Sequence, residues 1–320
     1  MSTTPASGVP RIERGAIYRD IYERRADDRP ATGRADLVRA RIEGDALVFD
    51  DGDSADRALH DGVFALAIPA ALDLDPGDRF AAQFHEGFGA RPYGCFRSVR
   101  SDVFGDPLLG FHERTNQIEQ FLLERRFWAS HYPAEIAALG EALTRLSGIV
   151  LRSVLARVGL PRSLWTRATG GCAALAGSYH LTFNHYRPAV EGIGLASHKD
   201  DGFLTILRTT SEGLEVNRAG AWERVAPDPR CFIVNFGLSM EMLTKGCAVP
   251  VAAIMHRVAH QAVDRSSFGH FTSSACGPGR AVDVFTYLDD GLHRVCDARE
   301  LIDANDHEIY AGTRPPEEAP

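Results

Sequence analysis

A chain of 320 residues, 44% hydrophobic and 24% charged, can bury a sizeable core and has the balance of a globular protein rather than a disordered or fibrous one. Lys and Arg number 35 against 43 Asp and Glu, and the net charge of −8 argues against nucleic-acid backbones and anionic membranes as main partners. No apolar run approaches the roughly 20 residues that cross a bilayer, the opening "MSTTPASGVPRIERG" lacks the pattern of a secretory signal, and the six Cys are scattered without a close pair. The expectation is a cytoplasmic protein with free thiols.

In chain order, the first 45 residues, with "ERRADDRPATGRAD", read as solvated helix ends or loop. "ALVFDD" (46–51) predicts a short strand, and residues 54–69 a helix that passes through Gly62 into a second strand. Residues 77–130 are mixed and rich in aromatics. From Pro133 onward, Ile136, Leu139, Leu143, Leu146, Val150, Val154 and Val158 recur at spacings of three and four. That is the apolar stripe of one helix over 133–158, started by Pro and stopped at Gly159. Beyond residue 176 the texture changes to eight short strands, from "SYHLTFNHY" to "VDVFTYL", which predicts a sandwich or barrel closed enough to protect its edges. The expected organisation is a mixed α/β region over 1–175, a β core over 176–290, and a segment over 291–320 that either orders over the mouth of the core as a lid or frays.

In "GLASHKDDGFLTIL" (194–207), His198 and Asp200 stand two residues apart and share a strand face, with Lys199 pointing away. Such a pair also arises by chance as a strand His beside a surface carboxylate, so a metal site needs a third ligand. "AIMHRVAHQ" (253–261) offers His256 and His260. Two imidazoles and one carboxylate on one face of an octahedron leave three positions open, which suits ferrous iron and dioxygen. Zinc prefers a tetrahedron richer in nitrogen and sulfur. A helical zinc pair at His256 and His260 is excluded, because no Glu follows His256 and Val251–Val258 is strand-like. In "DRSSFGHF", Arg265 and Ser267 share a strand face and offer a guanidinium fork and a hydroxyl to a carboxylate. Asn184 and Tyr186 in "FNHYRP" add alternate hydrogen-bond donors. A buried Arg without an acid awaits an anion, and 2-oxoglutarate is the anion expected. In "GARPYGCFRSVRS" (89–101), Arg91, Tyr93, Phe96 and Arg97 are candidate substrate contacts, set against the plainer reading of a surface loop with snorkelling Arg side chains.

Taken in order, N-x-Y-x-P (184–188), H-x-D followed by "GFLTIL", "VNFG" (234–237), H-R-V (256–258) and R-x-S (265–267) resemble the isopenicillin N synthase-like iron(II)/2-oxoglutarate-dependent dioxygenases. The likeness is strongest over about 176–275 and weaker in "LHDGVFALAIP" and the helix ending near 158. The resemblance implies a β-dominated α+β fold, with a distorted double-stranded β-helix (jelly-roll) core, a long supporting helix and an N-terminal mixed region. It implies that His198, Asp200 and His256 hold Fe(II) as the catalytic centre, and that Arg265 and Ser267 bind the far carboxylate of 2-oxoglutarate. Tyr186 and Asn184 fall where the family helps hold that cosubstrate, although His185 and Arg187 between and beside them depart from its pattern. The implied function is an oxidoreductase that uses Fe(II), 2-oxoglutarate and dioxygen to hydroxylate, desaturate or cyclise a small organic molecule in a biosynthetic tailoring step. Asp200 at the carboxylate position argues against halogenation. Two alternatives remain open: a 2-oxoglutarate-independent iron oxidase of the same fold, with Arg265 on the substrate's own carboxylate, and a non-catalytic metabolite-binding module.

Overall fold

The computed structural model of the chain describes residues 29–87, 89, 91–276 and 282–310, without the side chains at 308 and 310. Its first strands are β1 (Gly33–Arg34), β2 (Arg39–Glu43) and β3 (Ala46–Phe49), the last two forming a hairpin that turns at Gly44, where a φ of 59° favours glycine. Over β1 and β2 the sequence predicts loop, and strands stand instead, while β3 lies where a short strand was expected. The charges of "RARIE" mask its alternation, in which Ala40 is buried and Ile42 packs on the core. Helix α1 (Gly52–Asp61) starts where the Asp51 carboxylate accepts from the Ser54 amide at 2.6 Å, and it ends at Gly62, whose φ of 75° turns the chain into β4 (Val63–Ala67).

Helix α2 (Asp75–Ala81) follows, then β5 (Gly110–Glu113), β6 (Ile118–Glu124), the single turn α3 (Trp128–His131), the long α4 (Ala134–Arg157) and the short α5 (Trp165–Ala168). The remainder is β7 (Ser178–Tyr186), β8 (Leu195–His198), β9 (Leu204–Thr209), β10 (Leu214–Arg218), β11 (Ala221–Arg224), β12 (Cys231–Phe236), α6 (Leu238–Thr244), β13 (Met255–Val258), β14 (Arg265–Ser273), β15 (Asp283–Leu288), β16 (Gly291–Asp297) and α7 (Ala298–Tyr310). No helix of the described residues is long and apolar enough to cross a membrane.

The strands form a major sheet in the order β3-β2-β4-β12-β9-β14-β7-β6-β5 and a minor sheet in the order β1-β11-β10-β13-β8, with β15 and β16 as a separate hairpin. This is a β-rich jelly-roll core, but both sheets are open, so the edge-protecting closure expected from the strand count is not realised. Strands β2 to β6, from the N-terminal half, complete the same major sheet as the core strands.

Strand β7 sets the two sides of the molecule. Tyr179, Leu181 and Phe183 enter the main core, while His180, Thr182, Asn184 and Tyr186 point the other way into a cavity, as period-two alternation requires. On the core side, α4 buries Ile136, Leu139, Leu143, Leu146, Val150 and Val154, the stripe read from the sequence. The Phe80 ring of α2 lies 4.3 to 6.1 Å from the rings of Phe183, Phe96, Tyr93, Tyr132 and Phe121. Such close aromatic packing adds edge-to-face attraction to area burial.

Where α4 meets β14, fully buried His270 is 2.9 Å through Nε2 from Thr144 Oγ1, and Thr144 itself donates to Gly140 O. The imidazole therefore donates from Nε2, and its buried Nδ1 has no partner. Protonation would put charge on Nδ1 with no acceptor, and burial lowers the His270 pKa to about 3. His112 is held at about 4, chiefly by burial. An unfolded His titrates near 6.5, so below about pH 6.5 the unfolded chain takes up protons that the folded one refuses, and stability falls with pH. Urea midpoints measured from pH 7.5 down to 5 should decline accordingly, and His270→Gln, which keeps a donor to Thr144, should flatten that decline.

Candidate functional site

Strands β8 and β13 are antiparallel and bring His198 directly opposite His256, with ring centroids 4.3 Å apart. The chain then leaves β8 through a turn held by close backbone contacts. A Cβ on Gly202 would lie 2.4 Å from Thr272 O, and one on Gly237 would lie 2.7 Å from Asp200 O, so side chains at these positions would displace the turn. Leu238 N donates to Asp200 O at 2.8 Å, fixing the carboxylate's backbone to the start of α6. As a result Asp200 Oδ1 stands 3.7 Å from Nε2 of both His198 and His256. All three residues are buried.

The surrounding hydrogen bonds leave these three atoms with lone pairs facing one another. His198 Nδ1 lies 2.8 Å from Ala196 O and His256 Nδ1 lies 3.3 Å from Ile254 O, so each Nδ1 carries the donated proton and each Nε2 keeps its lone pair. The Thr205 hydroxyl donates to Asp200 Oδ2 at 2.6 Å, leaving Oδ1 free to point inward. Ring and carboxylate partners of this kind orient metal ligands. The donor set, two neutral nitrogens and one carboxylate oxygen, fits a divalent cation. Lys199 turns away as expected, though to a partner rather than to solvent, pairing with Glu241 at 2.8 Å. His260 lies beyond β13 in an exposed position, 2.8 Å from Gly192 O, and takes no part.

Pairing of β14 with β7 sets Arg265 opposite Tyr186 and Ser267 opposite Asn184. Arg265 is 2% exposed; its Nε donates to Glu212 O and its Nη2 to Thr209 Oγ1, both at 3.0 Å, and its guanidinium lies 4.6 Å from the Tyr186 ring centroid. Nη1 is buried without a partner, and no carboxylate among the described residues pairs with Arg265. A buried cation in this state is costly until an anion reaches it. Burial raises the Tyr186 phenol pKa, against the opposing effect of Arg265 and Ser267, so the phenol keeps its proton. Asn184 Oδ1 is occupied by Gln120 Nε2 at 3.0 Å. Together with the His-Asp-His group, Asn184, Tyr186, Arg265 and Ser267 line one cavity.

Sequence reasoning missed Thr205, Thr209, Gln120 and Asn235, and, within the segment read as either a lid or a frayed end, it singled out none of the α7 residues Ile302, Asn305, Asp306 and Ile309 that line the cavity. Asn235 sits within the quoted "VNFG", and its buried Oδ1 has no partner. Thr205 likewise sits within the quoted "GFLTIL" and Thr209 ends the same strand, β9, whereas Gln120 comes from β6 and the α7 residues from a helix, so no short motif joins them. Helix α7 is tied down by Arg299 to Asp106 at 3.0 and 3.2 Å and by Asn305 Nδ2 to Lys199 O at 2.9 Å.

The four proposed substrate contacts are not brought to the cavity. Arg91 pairs with Glu86 at 3.2 Å, the Tyr93 hydroxyl donates to Glu135, Phe96 is buried in the aromatic cluster around Phe80, and Arg97 bonds His85 O and Glu119. The aromatic cluster draws this segment to the core face of the major sheet, opposite the cavity.

On that same face His85, Glu119 and His185 form a second group with metal-ligating atoms close together. The two imidazoles stack with centroids 3.5 Å apart and planes 2° from parallel, so no single ion can lie in both ring planes. His185 is held instead between Glu119 at 2.9 Å and Asp264 at 3.1 Å, and Arg97 approaches Glu119 at 3.4 Å. This is an ion-pair network rather than a metal centre.

The 2OG-Fe(II) oxygenase superfamily matches residues 177–274. Thebaine 6-O-demethylase of Papaver somniferum is 40% identical over 96 residues, 28% of this chain and 24% of that protein. Jasmonate-induced oxygenase 2 of Arabidopsis thaliana is 33% identical over 186 residues, 54% of this chain and 46% of that protein. The chain thus spans about half or less of the length of these curated relatives. Among solved structures, JOX2 in complex with 2OG, Fe and JA superposes with a TM-score of 0.66 at 22% identity, covering 92% of this chain and 94% of that one. A rice dioxygenase for auxin oxidation gives 0.55 at 21% identity, covering 76% and 87%. Both likenesses establish the fold.

Removing the hydroxyl that orients Asp200 should loosen the metal centre without dismantling it. Thr205→Val is expected to weaken divalent-ion affinity by roughly 10- to 100-fold, and Co(II) titration followed by its visible absorption checks this against a control of unchanged melting temperature.

Proposed function

We propose, on the premise that this chain carries a 2OG-Fe(II) oxygenase superfamily domain, that it is an Fe(II)- and 2-oxoglutarate-dependent dioxygenase acting on a small organic molecule. His198, Asp200 and His256 would hold the iron, and Arg265 with Ser267 would take the far carboxylate of 2-oxoglutarate. When bound, iron and 2-oxoglutarate supply dioxygen-driven oxidation of a substrate carbon, coupled to conversion of the cosubstrate to succinate and carbon dioxide. The observation that carries the reading is Arg265: a buried guanidinium with Nη1 unpartnered, lining the same cavity as the His-Asp-His group.

Each chain residue has a task that follows from its chemistry. The Arg265 fork pairs with a carboxylate in two parallel hydrogen bonds, which a Lys cannot imitate. Thr209 and Glu212 O keep that fork from rotating. The Tyr186 phenol, protonated, stands beside Arg265 and Ser267 as a further donor to the same anion. Leu195, Leu207, Leu214 and Val258 wall this end of the cavity with apolar surface, which keeps water from competing for the clamp. Helix α7 acts as a roof over the mouth, with Ile302 and Ile309 facing inward. Hydroxylation, desaturation and ring closure all suit this arrangement; Asp200 fills the position that halide would need.

Oxygen uptake and succinate release across a metabolite library, each measured with and without 2-oxoglutarate, test the reading. Uptake that is independent of 2-oxoglutarate would instead support an iron oxidase that uses Arg265 on its substrate. Arg265→Lys should raise the KM for 2-oxoglutarate by about 10- to 100-fold while leaving Co(II) affinity unchanged; equal KM values would remove Arg265 from the clamp.

A further inference from the structure

The cavity continues beyond the metal and cosubstrate groups to a second polar pair on β7. Residues 180, 182, 184 and 186 all face the cavity, with neighbours on that face about 7 Å apart along the strand. Asn184 and Tyr186 stand opposite the Ser267–Arg265 clamp, and His180 and Thr182 continue away from it. Among the described residues neither the His180 imidazole nor the Thr182 hydroxyl makes a hydrogen bond. Leu108, Leu122, Phe271 and Ile302 line the same cavity and supply apolar wall.

Resting on the oxygenase reading above, we propose that His180 and Thr182 bind the substrate through an uncharged oxygen function, so that the substrate is a neutral apolar scaffold bearing a hydroxyl or carbonyl group rather than a carboxylate or an amine. A neutral imidazole and a hydroxyl each both donate and accept, which matches a hydroxyl or carbonyl in either role. The cations around this end of the cavity are each paired with a carboxylate within the protein. Arg299 pairs with Asp106 and Asp303, Arg126 with Glu124 at 2.7 Å, Arg114 with Asp306 at 3.6 Å, and Asp201 takes a hydrogen bond from Asn305. Glu124 is additionally bonded by Ser178. Burial, with Arg299 and Arg126 opposing Glu124 and Asp106, lowers the His180 pKa and keeps the ring neutral. A substrate carboxylate would therefore meet Asp201 and Asp306 without a spare cation, and an ammonium would have to compete with Arg114 for Asp306 or with Asn305 for Asp201.

Isothermal titration of iron-free protein with 2-naphthol, 2-naphthoate and 2-naphthylmethylamine reads this pocket separately from catalysis, which the succinate assay reads. 2-Naphthol should bind most tightly, and His180→Leu and Thr182→Val should each weaken it by roughly three- to tenfold with 2-oxoglutarate affinity unchanged. Equal or tighter binding of either charged ligand would overturn the proposal, as would failure of 2-naphthol to bind or its indifference to both substitutions. If His180→Leu fails to fold, Thr182→Val alone decides. A positive titration with no succinate formation would uphold the pocket and sink the oxygenase reading instead.

Discussion

Three lone pairs aimed at one point are the constraint around which the cavity is organised. Asp200 Oδ1 lies 3.7 Å from two imidazole nitrogens whose rings donate from Nδ1 to backbone carbonyls. The fold holds this arrangement in place with backbone rather than with side-chain bulk. The His198–His256 cross-strand pair fixes two of the atoms, and the approach of Gly202 and Gly237 to neighbouring carbonyls allows the turn that delivers the third. A site assembled from strand register in this way is positioned by many ladder hydrogen bonds at once, so it is preorganised before any ion arrives.

The same economy governs β7, one strand that faces two environments. Its odd-numbered residues from 179 to 183 anchor the major sheet on α2 and α4, so the strand cannot shift register without exposing Tyr179, Leu181 and Phe183. Its even-numbered residues thereby become a fixed row of polar groups along the cavity. His185 breaks the apolar run on the core face, and its bonds to Glu119 and Asp264 tie β7 to β6 and to the residue just before Arg265. The clamp is thus braced from behind as well as from the cavity side.

Charge is distributed unevenly in this interior. Arg265 is the cation of the described cavity wall that lacks a carboxylate partner, whereas Arg114 at the roof and Arg299 beside it are paired. Because an unpaired buried charge is expensive, its location marks where an anion belongs. The paired remainder leaves hydrogen bonding and apolar contact to recognise whatever else enters.

Much of the site was readable from short-range pattern. Although β8 ends at His198, so that a turn rather than a shared strand face delivers Asp200, period-two alternation in "DRSSFGHF" and "FNHYRP" placed Arg265 with Ser267 and Asn184 with Tyr186, and the 3.6-residue periodicity after Pro133 located α4. These signals are local, and the backbone enforces them wherever the residues fall. Strands β1 and β2 were hidden because charged residues alternate there with few apolar ones, and the packing of "GARPYGCFRSVRS" was not legible because its aromatics answer to Phe80, Phe121 and Tyr132, which are distant in sequence. By itself the sequence determined which strand side chains share a face and which residues have the donor chemistry to take a metal or an anion. Tertiary structure alone decided that α7 covers the cavity and that both sheets stay open, since these depend on contacts between elements far apart in the chain, and that Thr205 orients Asp200 from five residues away, across a turn that no strand periodicity marks.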